Sequence, residues 1–384
     1  MNMKRTHHFL AVAISFTSVL FSQPSDARRN SYPKQRHTQQ QSMNQDERVG
    51  LDVFGDFLLW KPYFSNTPYA LGGSRLNQAQ PRPDGITGIT YEPYLIDFNP
   101  GVGFRIGAAY SNDWNKISFS TSWTRFHAHQ QEIDMNDRLV NQAESDLGNP
   151  VVIDPFWGAN STIPEGGTNF KLVSDQYIKI DQLDFVFATR MGLNKWLSIK
   201  PGAGIRAYLS TVSFKNRFTK NVRNFNRVFV PPFSGSTETV SQRYYSLGAL
   251  LSLKNEFDVG HGLSIINDID LSLLVGSCKN KSVLGRQGPS VLPGYDESTH
   301  YQTTLVENEP TIKPVFDFDL GFQYEYTNTP KTWGYYLQVA YEAHILPDFV
   351  EFILLRDTTS QVRMFTYIGD LAFQGMRARA GITF

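Results

Sequence analysis

The sequence of 384 residues contains a single cysteine, Cys278, which excludes an internal disulfide framework and a cysteine zinc site. It has no excess of either charge, 36 basic residues against 36 acidic ones, and so no electrostatic footprint for a nucleic-acid partner. Beyond the N-terminus no apolar run reaches 18 residues, which excludes a bundle of membrane helices. There is no GxSxG, no HExxH, no phosphate-binding loop and no long stretch of convincing 3.6 period. What is present is aromatic content: 14% of residues, against 19% charged, a composition that argues against a disordered chain.

The first 27 residues read as an export signal. Lys4 and Arg5 form a basic start, and Phe9 to Phe21 is an apolar run. Ser25 and Ala27 then stand at the small-residue spacing of a signal peptidase site, with cleavage expected after Ala27. Such a run rises only about 20 Å as a helix, too short for a comfortable span. Residues 28–50 are polar and cannot bury enough surface to offset their ordering entropy, so they read as a flexible periplasmic tether.

From residue 51 to the end the dominant period is two. In 196–212, Leu197, Ile199, Ala203, Ile205, Ala207 and Leu209 alternate with Ser198, Lys200, Gly202, Gly204, Arg206 and Ser210. A strand sends alternate side chains to opposite faces, so each such segment has one apolar and one wet face. Ten strong strands follow from this pattern: 51–61, 101–111, 115–127, 176–190, 196–212, 242–257, 263–276, 313–326, 333–346 and 372–384. Weaker extended stretches near 67–73 and 86–98 would add a pair, and 347–356 reads as a short helix in a loop.

Three features assign the apolar face to lipid. The strands run 11–17 residues, long for a soluble sheet and sufficient for a tilted membrane strand. Short turns alternate with long loops at 62–100, 128–175, 213–241, 277–312 and 347–371. Aromatic residues gather beside the short turns as a girdle: Tyr110, Trp114, Trp196, Tyr324, Tyr326, Trp333 and Tyr335. Lipid cannot hydrate an open sheet edge, so the strands must close. The expectation is an all-β, antiparallel up-and-down transmembrane barrel of about 12 strands (10–14), with both termini on the short-turn side. The last strand ends in Phe384, resembling the signal by which the barrel-assembly machinery recognises bacterial outer-membrane barrels.

Specific segments are similar to one family. GDFLLWKPYFSNTPYAL (55–71) resembles the "GDFLYWK…LxYA" opening of the major outer membrane protein family of Legionella and Chlamydiae relatives. NPGVGFRIGAAY (99–110), STSWTRFHA (120–128), LSIKPGAGIRA (197–207) and GDLAFQGMRARAGITF (369–384) resemble further segments in order. The resemblance implies a pore-forming or structural outer-membrane barrel. With Cys278 alone, this chain departs from the cysteine-rich chlamydial proteins and their disulfide-linked network.

The wet face carries Arg105, Lys116, Asp184, Lys200, Arg206, Lys254, Asp268, Asp270, Asp317, Asp319, Glu325, Arg377 and Arg379, with Asp52, Asp56 and Glu342 among others at the same parity. A cation at the bilayer midplane costs about 2–4 kcal/mol, so these residues belong in an aqueous or hydrogen-bonded interior, where they are expected to line a pore. Two readings stay open: a channel passing small hydrophilic solutes, and a closed interior whose charges pair across it. The same-face pairs Asp268/Asp270 and Asp317/Asp319 are explained by periodicity without catalysis. His127 and His129 lack a third histidine nearby and read as a solvated loop start. GAGIRA (202–207) sits inside a strand with no following helix, which removes dinucleotide binding. The expected function is therefore a non-enzymatic, porin-like barrel of the outer membrane with a structural envelope role, or a closed-lumen adhesin. No cofactor and no metal is expected. The expected partners are membrane lipid, the assembly machinery, small solutes and further copies of the chain.

Overall fold

Segments with one apolar and one polar face can satisfy every backbone group in lipid only by pairing edge to edge into a closed ring. The computed structural model describes residues 49–65, 68–75, 89–95, 98–112, 116–133, 151–154, 169–194, 196–221, 235–287, 301–328, 333–357 and 362–384. The export signal, most of the tether and Trp114 lie outside the described residues. The strands are β1 (Val49–Phe64), β2 (Pro68–Arg75), β3 (Ile89–Leu95), β4 (Gly101–Asn112), β5 (Ile117–Ile133), β6 (Val151–Asp154), β7 (Asn169–Thr189), β8 (Met191–Gly192), β9 (Leu197–Asn221), β10 (Gly235–Gly260), β11 (Leu263–Gln287), β12 (Tyr301–Thr327), β13 (Gly334–Asp357) and β14 (Val362–Thr383).

Ten of them form the ring, in the order β1, β4, β5, β7, β9, β10, β11, β12, β13, β14 and back to β1, every neighbour antiparallel. The two-residue β8 pairs outside the ring on β9. The ring takes the lower end of the expected range because the two weaker stretches do not enter it: β2 pairs with β3 on one side and β6 on the other in a separate sheet. Closure is completed at the chain ends, where Phe384 N–H donates to the Leu51 carbonyl (2.9 Å) and Leu51 N–H to the Phe384 carbonyl (3.2 Å).

The register sets the diameter. Following paired residues from Asp56 through β4, β5, β7 and β9 arrives at Ser246 on β10. The other way round, through β14, β13, β12 and β11, arrives at Asp258 on the same strand, twelve residues away. A shear of twelve over ten strands implies a tilt of about 40° and a backbone radius of about 10 Å. An arginine can then reach a carboxylate three strands away around the ring.

The strands outrun the sequence expectation on the loop side. β9, β10, β11 and β12 run 25, 26, 25 and 27 residues, through stretches expected to be loops. The stretch 347–356, expected as a short helix, is β-strand, continuing β13 beyond a register shift between Leu346 and Val350. Both of its neighbours carry strand on past that point, and edge pairing outweighs its weak local pattern.

The apolar faces point outward and are bare. Leu247, Phe322 and Phe187 are 58%, 59% and 62% exposed, which excludes a two-layer sandwich packed through these faces. On β13 the outward residues from Tyr335 to Ile345 rise about 26 Å at that tilt, the height of a membrane barrel's apolar band. Girdle aromatics mark its turn side: Tyr110, Trp196, Tyr324 and Trp333 are exposed, and Tyr326 stacks on Tyr335 at 5.3 Å. Tyr63 and Tyr341, exposed farther along β1 and β13, are a second pair that reading outward from the short turns missed. The β10–β11 turn has positive φ at both His261 (58°) and Gly262 (78°), as a two-residue hairpin matching strand twist requires.

Candidate functional site

The inward parity of each strand sends its polar residues to one level of the bore, where they form a single connected network. Asp184 on β7 accepts from Arg206 Nε on β9 (2.8 Å), and Arg206 Nη1 reaches Asp317 on β12 (2.5 Å) and Ser272 on β11 (3.2 Å). Asp317 also contacts His344 Nδ1 on β13 (2.8 Å). His344 Nε2 lies 3.6 Å from Glu342, which accepts from Trp60 Nε1 (3.0 Å) and Arg105 Nη1 (3.0 Å) and pairs with Arg377 (3.2 Å). Arg105 and Arg379 both reach Asp56 (3.2 and 2.6 Å), and Arg377 reaches Asp319 (2.6 Å).

Two of these contacts cross the bore. Arg206 to Asp317 passes over β10 and β11, and Arg105 to Glu342 passes over β1 and β14. The side chains of these two pairs are largely buried: Arg206 1% and Asp317 11% exposed, Arg105 12% and Glu342 3%. Charged side chains thus meet across the interior at this level. Each guanidinium faces at least one carboxylate, the condition under which buried charges persist.

Next to the charged layer on the loop side lies a cluster of apolar inward residues. Leu58, Trp60, Phe126 and Phe373 pack together, with Trp60 and Phe126 ring centroids 5.2 Å apart. The register shift in β13 adds a plug to this region. Asp348 takes a left-handed backbone (φ 48°), and Phe349 turns inward against Tyr208 and Tyr244 at 5.7 and 5.2 Å. Gln242 holds the plug by both ends of its amide, donating to the Phe349 carbonyl (2.9 Å) and accepting from Glu351 N–H (3.1 Å). Lys313 donates to the Asp348 carbonyl. Cys278 is 2% exposed beneath Gln242, away from any outer surface.

On the turn side the inward residues form a more exposed vestibule, where Lys200 pairs with Glu256 (3.6 Å) and Lys254 with Asp268 (3.8 Å), each lysine about a third or more exposed. Of the sequence-predicted residues, Arg105, Asp184, Arg206, Asp270, Asp317, Asp319, Arg377 and Arg379 fall in the charged layer, and Lys200, Lys254 and Asp268 in the vestibule. Glu325 is exposed at the turn end of β12. Lys116 is corrected: it stands before β5 on a turn with φ 54°, exposed, its carbonyl accepting from Arg190 N–H. The strand begins at Ile117, two residues later than expected, and the turn takes Lys116 out of the bore. His127 and His129 are on β5, facing outward, with His129 2.6 Å from Asp175. Among the described residues no group of His, Cys, Asp and Glu has the geometry to hold a metal.

Trp60 and His344 escape the sequence reading, and Asp56 and Glu342 enter it only through wet-face parity. A signal for His344 exists: it follows Glu342 at the same-face spacing of two, on the inward parity of β13 that also carries Gln338.

No curated protein matches the chain. The fold is similar to solved barrels at low identity. The outer membrane protease OmpT from Escherichia coli is 10% identical with a TM-score of 0.37, the match covering 88% of this chain and 96% of that one. A major outer membrane protein from Thermus thermophilus is 9% identical with a TM-score of 0.29, covering 88% and 100%. A Pseudomonas aeruginosa FadL homologue is 10% identical with a TM-score of 0.25, covering 88% and 90%. The family described as "Legionella pneumophila major outer membrane protein precursor" matches residues 44–378, most of the chain. A bare apolar belt around a ten-strand ring, a charged interior and that match together make this chain an outer-membrane β-barrel belonging to the family of the Legionella major outer membrane protein.

Proposed function

We propose that this protein is a closed-lumen structural barrel of the outer membrane, not an enzyme, whose long strands and loops beyond the belt form its working surface. The observation that carries this is the bore-crossing pair of Arg206 and Asp317, with side chains 1% and 11% exposed. With a backbone radius of about 10 Å, Arg206 reaching from β9 to β12 and Arg105 reaching from β4 to β13 leave, on this reading, no continuous water path. On this reading the short turns and both termini are periplasmic, after removal of residues 1–27. Lipid surrounds the belt, the assembly machinery recognises the strand ending in Phe384, and further copies of the chain are the candidates for lateral contact.

A second reading, passive diffusion of small hydrophilic solutes, is favoured by the vestibule of Lys200, Lys254, Glu256 and Asp268, which brings water to the edge of the charged layer. It requires the Arg206 and Arg105 pairs to separate. Planar-bilayer recording of the refolded protein distinguishes the two. The closed barrel gives no conductance steps; regular steps establish diffusion and remove the closed-lumen assignment.

A further inference from the structure

The outward face of the barrel changes character where the apolar belt ends on the loop side. On β9 and β10 the belt's last outward pair is Leu209 and Tyr245, which are register partners. One outward position farther lies a lateral row in which Lys179 pairs with Thr211, Thr211 with Arg243, and Arg243 with Lys279. Lys281, Lys215 and Arg217 follow above it on the same face. Neighbouring strands are about 4.8 Å apart, so Arg243 and Lys279 stand side by side.

The only outward carboxylates beside these cations among the described residues of β5, β7, β9, β10 and β11 are Asp175 and Asp181, and both are engaged. Asp181 is held by Arg125 (3.6 Å) and Lys179 (3.0 Å), and Asp175 by His129 (2.6 Å). Lys215, Arg217, Arg243, Lys279 and Lys281 have no acidic partner among the described residues. The next wall does not share this character: the outward face of β12 at that level presents Pro314, Ile312, Pro310 and Asn308. Among the described residues of these six strands, the outward cations without an ion-pair partner lie on β9, β10 and β11, just beyond the loop-side end of the apolar belt, with Lys215 the register neighbour of Asp175.

We propose that this sector binds the phosphate groups of phosphorylated lipid headgroups in the outer leaflet, with Arg243 and Lys279 as its centre. Arginine presents a planar fork to phosphate oxygens and lysine adds a point charge. The apolar belt directly below supplies the acyl-chain contact, so one lipid satisfies both surfaces. The inference rests on the loop side being extracellular and is independent of whether the bore conducts.

The test is native mass spectrometry of the refolded full chain in neutral detergent, with phosphorylated lipid A or its fully dephosphorylated counterpart added. Wild type retains the phosphorylated lipid and not the other. R243Q/K279Q lowers retention about thirtyfold, the effect of two surface cations on an anionic lipid. K116Q/R190Q, an equal charge change at the turn end, leaves it unchanged. Inorganic phosphate does not displace the lipid. Heat-modifiable gel migration confirms that each variant is folded. Equal retention of the two lipids, full retention by R243Q/K279Q, displacement by inorganic phosphate, or a change of oligomeric state in place of lipid loss each overturns the proposal.

Discussion

Arg206 is the side chain on which the charged layer most depends, and replacing it by Met isolates its contribution. Methionine keeps a flexible stem of comparable reach and removes the guanidinium. Three carboxylates lose the guanidinium beside them, Asp184 at 2.8 Å, Asp317 at 2.5 Å and Asp270 at 3.7 Å, Asp317 keeping its contact with His344. At an effective dielectric of 20 each contact is worth about 4 kcal/mol of Coulomb energy before desolvation. Most of that is offset by the cost of burying the charges, and removal of one partner from a buried pair leaves a net loss of about 3–5 kcal/mol. Arg206→Met is therefore expected to unfold from lipid vesicles at clearly lower urea, read by tryptophan emission and heat-modifiable migration. Adding Asp317→Asn recovers part of the loss by removing one uncompensated charge. A loss below about 1 kcal/mol, the value of an exposed pair, would refute the view of Arg206 as a desolvated bridge.

Three further outcomes follow from the geometry. Leu247→Arg, on the outward face of β10 and 58% exposed, is expected to cost about 2–4 kcal/mol in vesicles, whereas Leu263→Arg at the turn end of the belt costs about 0–1 kcal/mol; equal costs would deny a lipid belt. Gly375→Ala puts a Cβ 1.9 Å from the Leu59 carbonyl and is expected to lose about 1–3 kcal/mol, while Gly55→Ala meets nothing within 4 Å and is tolerated; urea midpoints in vesicles compare the two. Phe349→Ala empties the plug against Tyr208 and Tyr244 and is expected to cost about 3–5 kcal/mol without producing conductance in a planar bilayer, because the charged layer still seals the bore.

The faces of the strands are legible in the sequence because a period of two needs no partner to be recognised. Leu247, Leu251 and Leu253 outward against Gly248 and Ser252 inward is a local fact, and it survives folding unchanged. Contacts across the bore are not legible. That Arg206 meets Asp317 as well as its register neighbour Asp184 depends on the registers of three successive pairings, β9 to β10 to β11 to β12, which no local pattern carries. Strand length fails for a related reason. Beyond the belt the outward residues of β9 to β11, such as Ser213, Lys215, Ser241 and Lys281, are polar, so alternation fades while the backbone continues to pair. The inward glycines carry two readings, added room and eased curvature. At Gly204, where a Cβ would lie 1.9 Å from the Phe185 carbonyl, close strand approach decides for curvature.

Water access to the charged layer tests the central claim most directly. Thr124, 1% exposed, accepts a hydrogen bond from Arg105 Nε at 2.9 Å, and Lys254 lines the vestibule. With the barrel in vesicles and a small charged thiol reagent on either side, Thr124→Cys should stay as unreactive as the buried Cys278, while Lys254→Cys is modified. Modification of Thr124→Cys at the rate of Lys254→Cys would mean that water passes through the layer and that the bore is open.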